Sequence, residues 1–218
     1  MIVPASDAVF QEAARLLKQG GLIAFPTETY YGLGVDPFNS EALRRLFAVK
    51  RRAENKPVLV LVKDQEQVSL LAENVPTELQ HLMNRFWPGP LTLVCPARAE
   101  LPKLLTGGTN TVGIRQSPDA TARLLLAAFG RPITATSANR SGEMAAVTAA
   151  EVEVAFNSEI DLIIDGGRTP GGAGSSLVGY GEQGLRCVRE GRISFAKILR
   201  LLATKESRKQ EKTFFSFL

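Results

Sequence analysis

The chain has 218 residues, 44% apolar, 22% charged and 7% aromatic, which suits one globular domain and excludes collagen, coiled-coil or wholly disordered chains. Its 26 basic and 22 acidic residues leave a net charge of +4, which permits an anionic ligand or RNA without demanding either. Two cysteines, Cys95 and Cys187, and a single histidine, His81, exclude a disulfide framework and a Cys/His zinc site. Both cysteines read as small buried side chains inside strands. No run approaches the ~18 apolar residues of a membrane span, and no basic-then-apolar leader opens the chain, so a soluble, cytoplasmic protein with no membrane partner is expected.

In chain order, Val9, Ala13, Leu16 and Leu17 mark a helical face over 6–19, stopped by Gly20-Gly21. Leu22 to Phe25 reads as a short buried strand closed by Pro26, and 27–39 as a polar turn. Ser40 is placed as the cap of a helix over 41–50, and Pro57 to Val62 as a second buried strand. Helices are expected around 64–72 and 76–86, with strands at Leu91–Cys95 and Thr111–Arg115. Ser117-Pro118 offers a cap and a first-turn proline for a helix over 119–129 that stops at Gly130. Pro132 to Thr136 is again a strand, and Thr148 with Glu151 has capping-box spacing for a helix to Phe156. Strands follow at Leu162–Ile164, Ser176–Tyr180 and Leu185–Arg189, the last two joined as a hairpin, before a final helix over 194–202. Strands alternating with helices, and a late hairpin, predict a single α/β domain over 1–202 with a mixed sheet. Residues 203–218 read as a charged tail with an aromatic end: a frayed terminus, or a segment whose Phe214, Phe215 and Phe217 dock on a neighbouring subunit.

The common nucleotide loops, Gly-x-Gly-x-x-Gly and Gly-x4-Gly-Lys-Ser/Thr, are absent, and His81 sits in a helical pattern rather than in a Ser/His/Asp set. The polar residues gather instead at strand ends, where α/β folds place ligands. They are Pro26–Gly34, Lys50-Arg51-Arg52, Thr111–Arg115, Thr136–Gly142, and Ser175–Val178 with Arg189-Glu190-Gly191. Lysine and arginine there suit phosphates and a carboxylate, and hydroxyls suit a small polar ligand or a nucleobase. Glu28 is the only obvious carboxylate among them, which points to catalysis by positioning and charge stabilisation, as in phosphoryl and nucleotidyl transfer.

At these clusters the chain resembles the YrdC-like threonylcarbamoyl-AMP synthases over about residues 8 to 200. The matching blocks are Phe25–Gly34, Lys50-x-Arg52 with Asn55-Lys56-Pro57, Phe86–Leu93, and Ser137-Ala138-Asn139-x-Ser141-Gly142. The resemblance implies a twisted mixed sheet with helices on both faces and a concave, electropositive cleft. It also implies that L-threonine, bicarbonate (or carbon dioxide) and ATP give threonylcarbamoyl-adenylate and pyrophosphate. A separate transferase then carries the threonylcarbamoyl group to a tRNA adenosine beside the anticodon. In that setting Lys50 and Arg52 serve the triphosphate as the catalytic cations, with Mg²⁺ held by ATP oxygens rather than by protein side chains. Arg115 takes the threonine carboxylate, while Thr27 and Ser176 lie near the amino acid. Thr111, Ser137 and Ser141 hold the nucleotide, Asn139 braces their turn, and Arg189 closes over the phosphates. Tyr31 is a pocket wall or a packed core ring, and Trp87 is structural.

The chain departs from the family pattern at Tyr30 (commonly valine), at Ala145 (a serine), at Glu190 (a proline) and in Ser176-Leu177 (Thr-Val). Lacking the extra C-terminal domain of the long members, it reads as the short form. Two other readings stand beside this one: a module binding tRNA or double-stranded RNA without adenylation activity, and a relative that transfers carbamoyl groups from carbamoyl phosphate.

Overall fold

Alternation along the central strands sorts their side chains between two apolar layers. In β2 (Ile23–Pro26), Ile23 and Phe25 enter one layer while Ala24 and the preceding Leu22 enter the other. β9 (Leu162–Asp165) divides the same way, Leu162 and Ile164 against Ile163, and β4 (Val60–Leu61) sends Leu61 and Val60 to opposite sides. A strand buried on both faces must be apolar along its buried length, and these runs are, up to the exposed Asp165 that ends β9. Helices α1 (Asp7–Lys18) and α5 (Ala120–Phe129) cover the first layer through Phe10, Ala13, Leu17, Leu125 and Phe129. Helices α2 (Ser40–Lys50), α3 (Thr77–Phe86) and α6 (Ala149–Phe156) cover the second, so helices lie on both faces as expected. Full burial of a leucine or phenylalanine contributes about 1.5–3 kcal/mol, and both layers are built largely of such residues.

The computed structural model describes residues 1–202; the expected aromatic tail, 203–218, lies outside the described residues. Hydrogen bonding resolves the mixed architecture into two sheets, a five-stranded one in the order β1 (Ile2–Pro4), β9, β2, β3 (Tyr31–Gly34), β8 (Thr136–Ser137) and a six-stranded one in the order β11 (Gly184–Arg189), β10 (Ser176–Gly181), β5 (Leu91–Pro96), β6 (Thr111–Arg115), β4, β7 (Ile133–Thr134). Each contains parallel and antiparallel pairs. They meet where Ala135 separates β7 (Ile133–Thr134) from β8 (Thr136–Ser137), so the strand expected over 132–136 is shared between them. The Thr134 amide donates to the Val35 carbonyl (3.0 Å) and the Ala135 amide to that of Leu59 (3.0 Å), which stitches the corner.

Several elements differ from expectation for local reasons. The supposed turn over 27–39 contains β3 (Tyr31–Gly34), antiparallel to β2, with Ile23 opposite Gly34 and Pro26 opposite Tyr31. Its glycines hide the strand pattern yet are what the packing needs: a Cβ on Gly34 would lie 2.7 Å from Phe25 Cε1 and 2.8 Å from Ile133 Cγ2. Asn39, not Ser40, caps α2, its Oδ1 accepting from Glu41 (3.0 Å) and Ala42 (3.1 Å). Asp119, not Ser117, caps α5 and accepts from the Ala122 amide at 3.0 Å, which leaves the Ser117 hydroxyl for another partner. The segment over 57–62 pairs as a strand only at Val60–Leu61, because Pro57 has no N–H and the Val58 amide turns to Leu105 (3.0 Å). Residues 64–72 form a 3₁₀ turn at Glu66–Leu70 rather than an α-helix. β1 (Ile2–Pro4) and α4 (Lys103–Thr106) are too short to show a period.

The expected helix to Phe156 starts after Thr148, whose hydroxyl accepts from the Glu151 amide. The expected hairpin is present as β10 (Ser176–Gly181) and β11 (Gly184–Arg189), with the backbone helical over 195–202. Cys95 is buried in β5 (Leu91–Pro96), but Cys187 is exposed, because β11 is an edge strand with no layer over that position. Among the described residues, no helix is long and apolar enough to cross a membrane.

Candidate functional site

Strand parity decides which side chains reach the cavity between the two sheets. In β6 (Thr111–Arg115), Val112 and Ile114 point into the core, and Thr111, Gly113 and Arg115 line the opposite side. Val94 of β5, Leu177 of β10 and Leu59 before β4 complete that floor. The turn after β2 supplies Thr27, Thr29 and Tyr30, the start of β3 supplies Tyr31, and β8 and its turn supply Thr136, Ser137 and Asn139. The cavity measures about 830 Å³, within the usual ligand-site range of ~300–1,000 Å³.

Its cations are Arg52, Lys56, Arg115, Arg186 and Arg189, against Glu143 and Glu190. Arg52 is fixed by carbonyls rather than by a carboxylate: its Nε donates to Lys56 O (3.2 Å) and its Nη2 to Pro57 O (2.7 Å). Burial holds its pKa below the ordinary arginine value. Arg189 donates to Ser175 O at 2.8 Å, and the Ser175 hydroxyl in turn meets Thr92 Oγ1 at 2.8 Å. Carbonyl anchors of this kind orient a guanidinium without neutralising it.

Arg115 is arranged differently. Its Nη1 lies 2.7 Å from Glu28 Oε1, both side chains being almost fully buried. The approach is a charge contact without hydrogen-bond alignment, and among the described residues Glu28 Oε1 and Arg115 Nε have no hydrogen-bond partner. Burial pulls the Arg115 pKa down, the Glu28 charge pulls it up, and the nearby Arg189 charge pulls it down again. Glu28 also accepts from the Ser117 hydroxyl at 2.5 Å, so this carboxylate is held as a support for Arg115 rather than left as a free base.

The hydroxyl-bearing turns are tightly built. Thr27 Oγ1 donates to Tyr30 O (2.7 Å) and accepts from the Thr29 amide (3.2 Å), which rigidifies the turn that faces the cavity. Asn139 spends its amide on the carbonyls of Arg140 (2.9 Å) and Glu143 (2.8 Å) and accepts from Ser137 Oγ (2.6 Å), so it does brace its turn. Thr111 Oγ1 meets Thr109 Oγ1 at 2.9 Å. Tyr31 is both things expected of it: fully buried, yet a cavity wall. Its hydroxyl donates to Gly167 O (2.8 Å), and burial with the Asp165 charge pushes its pKa up to about 12.

Three expected residues stand elsewhere. Lys50, expected at the triphosphate, is buried and is not among the cavity walls; its ammonium donates to the carbonyls of Ser137 (2.5 Å) and Asn139 (2.7 Å), behind the turn that lines the cavity. Burial, with a contribution from Arg52, pulls its pKa down to about 7. Ser141 is exposed outside the walls and meets Lys50 only through its amide, at 2.9 Å to the Lys50 carbonyl. Ser176 falls on the core side of β10, where its hydroxyl donates to Ile193 O at 2.5 Å, and Ser175 takes the cavity position. Alternation along β10 could have chosen between the two serines. Lys56 stood inside the Asn55-Lys56-Pro57 block without a role, and Arg186 is three residues before Arg189. That both of these arginines reach one cavity depends on a bulge: Leu177 pairs with Arg189 but Val178 with Cys187, which re-aims the end of β11. His81, on α3, lies outside the walls.

This geometry has counterparts among known proteins. The chain is 38% identical over 190 residues to the threonylcarbamoyl-AMP synthase of Pyrococcus abyssi, a match over 87% of this chain and 56% of that one. A Pseudomonas fluorescens protein of the same name is 39% identical over 168 residues, covering 77% of this chain and 90% of its own length. The solved structure of P. abyssi Sua5 complexed with L-threonine superposes with a TM-score of 0.88 at 36% identity, over 92% of this chain and 60% of that one. The chain therefore spans little more than half the length of the Pyrococcus protein it matches. A family model, Sua5/yciO/yrdC (telomere recombination), matches residues 15–191, and on that match together with the shared fold the chain belongs to the Sua5/YciO/YrdC family.

Proposed function

We propose that this chain makes L-threonylcarbamoyl-adenylate and pyrophosphate from L-threonine, bicarbonate or carbon dioxide, and ATP. The observation that carries the reading is convergence: one cavity is lined both by Thr27, Thr29 and Arg115 and by Arg52, Lys56, Arg186 and Arg189. Relatives named for this activity, one of them solved with L-threonine, support it.

The threonine carboxylate would meet Arg115, which lines the cavity, while the Thr27–Thr29 turn bounds the space for its side chain. Threonine's amine and bicarbonate give a carbamate with loss of water. A carbamate oxygen then attacks the α-phosphorus in line, and the bond from that phosphorus to the bridging oxygen breaks to release pyrophosphate. Two anions must approach, and at 4 Å and an effective dielectric near 20 each unit-charge pair repels by about 4 kcal/mol. Arg52 and Arg189, held by carbonyls, screen that repulsion without first giving up a carboxylate partner. Mg²⁺ would enter with ATP on its phosphate oxygens; among the described residues no group of three or more His, Cys, Asp or Glu could hold a metal ion. Lys50 and Asn139 shape the Ser137 turn from behind, so their part is positioning. The product would pass, in the cytoplasm, to a transferase that modifies a tRNA adenosine beside the anticodon.

The test is pyrophosphate release in bicarbonate buffer with threonine, with serine and with no amino acid. Threonine-dependent release is expected, falling by about 10²-fold or more in Arg52→Ala, the size of effect found when one charge-stabilising donor is removed. A protein that binds ATP yet releases no pyrophosphate would overturn the reading. Steeply salt-dependent RNA binding indifferent to ATP would then favour an RNA-binding module.

A further inference from the structure

The glycine-rich segment over 166–175 forms a strap whose last residues, Ala173, Gly174 and Ser175, are among the cavity walls. Gly171 (φ +62°) and Gly172 (φ +75°) occupy the left-handed region in succession, a conformation glycine adopts freely and is equally free to leave. The strap therefore has little stiffness of its own, and its shape depends on ties to its surroundings. On one side the ties run to the Thr29-Tyr30 turn: the Gly171 amide donates to Thr29 O at 2.8 Å, and the Tyr30 hydroxyl donates to Gly172 O. On the other side Arg192 donates to the carbonyls of Gly171 (2.6 Å) and Ala173 (3.1 Å), and its amide to that of Gly174 (2.9 Å). Beyond these ties comes Ser175, whose carbonyl anchors Arg189 at 2.8 Å.

We propose that Tyr30 is a positioning residue, its phenol pinning the glycine strap to the turn after β2 and so fixing Ser175 and, through it, Arg189 at the cavity wall. The proposal rests on the adenylation reading for its consequence but not for its geometry. The Tyr30 ring is itself a wall, with its Cε1 3.9 Å from where a Cβ on Gly171 would sit, so ring and hydroxyl have separable parts. Of the two direct ties to this turn, the phenol is the only one a side-chain substitution removes without touching the backbone.

The experiment compares wild type, Tyr30→Phe, which keeps the ring, and Tyr30→Val, which keeps neither ring nor hydroxyl. Backbone hydrogen exchange over 171–175 is expected to quicken about 2- to 10-fold in Tyr30→Phe, the worth of one hydrogen bond, and further in Tyr30→Val. Exchange in β2 and β5 stays unchanged, which separates release of the strap from general unfolding. In steady-state pyrophosphate release the KM for Mg-ATP rises by a similar factor, because a loosened Arg189 captures the phosphates less firmly, and kcat falls as its screening of the attacking carbamate weakens. Unchanged exchange over 171–175 in Tyr30→Phe would overturn the proposal. So would faster exchange with an unaltered KM for Mg-ATP, which would leave Tyr30 a wall and nothing more. Should wild type release no pyrophosphate, the adenylation reading fails by itself, and the exchange data alone decide whether Tyr30 pins the strap.

Discussion

An ammonium group enclosed by protein has to be satisfied by something other than water, and Lys50 is 1% exposed. The Ser137 and Asn139 carbonyls do this, and burial with the Arg52 charge still brings its pKa from 10.5 down to about 7. Below pH 7 the folded and the unfolded chain both carry this proton. Between about 7 and 10.5 the unfolded chain carries it and the folded chain does not, so unfolding free energy gains an upward slope with pH through that window. In Lys50→Met this part of the slope disappears, although the variant is less stable throughout, by about 1–3 kcal/mol, because the Asn139 carbonyl loses its Lys50 donor and the Ser137 carbonyl keeps only the Asn139 amide. Urea unfolding at several values between pH 7 and 10 measures it; curves of wild type and variant that run parallel would show that Lys50 titrates normally.

At the scale of elements, β6 is one strand with two jobs. Val112 and Ile114 hold it in the core, and the residues between them set the cavity floor. Gly113 is the open point of that floor: a Cβ there would lie 3.3 Å from Thr92 Cγ2 and 3.5 Å from Leu59 Cβ, close but without a clash against backbone. In Gly113→Val the strand gains a residue of high β-propensity whose methyls occupy ligand space. The expected outcome is a melting temperature near that of wild type with ATP affinity reduced by about 5- to 150-fold, equivalent to ~1–3 kcal/mol of overpacking. Calorimetric titration reads the affinity. Unchanged ATP binding would place the nucleotide away from the floor of β6.

Across the whole molecule, the two sheets share a core. Ala24 and Leu33 from one, and Val60, Leu93 and Val112 from the other, belong to the same buried layer, and the Ala135 corner ties their backbones together. A cavity walled by both sheets is rigid only if they unfold together. Trp87, the single tryptophan, is buried in this layer with its indole N–H on Leu91 O at 2.7 Å, and so reports on the six-stranded sheet. Its fluorescence and the far-ultraviolet circular dichroism are expected to trace one superimposable melting curve. Separate midpoints would mean that the sheets are independent folding units and that the cavity can open between them.

By itself the sequence determined what depends on neighbours in the chain: the helices α1, α3, α5 and α6, the β10–β11 hairpin, and the ordered blocks that carry the arginines and hydroxyls. Apolar spacing, caps and turn residues are local signals, legible within a few positions. Tertiary structure decided which of those side chains meet. Lys50 turns to carbonyls 87 and 89 positions away, and Glu28 to Ser117, 89 positions away, contacts that no local pattern encodes. The aim of Arg189 depends on strand register and on one bulge, where a single-residue step reverses the face a side chain presents.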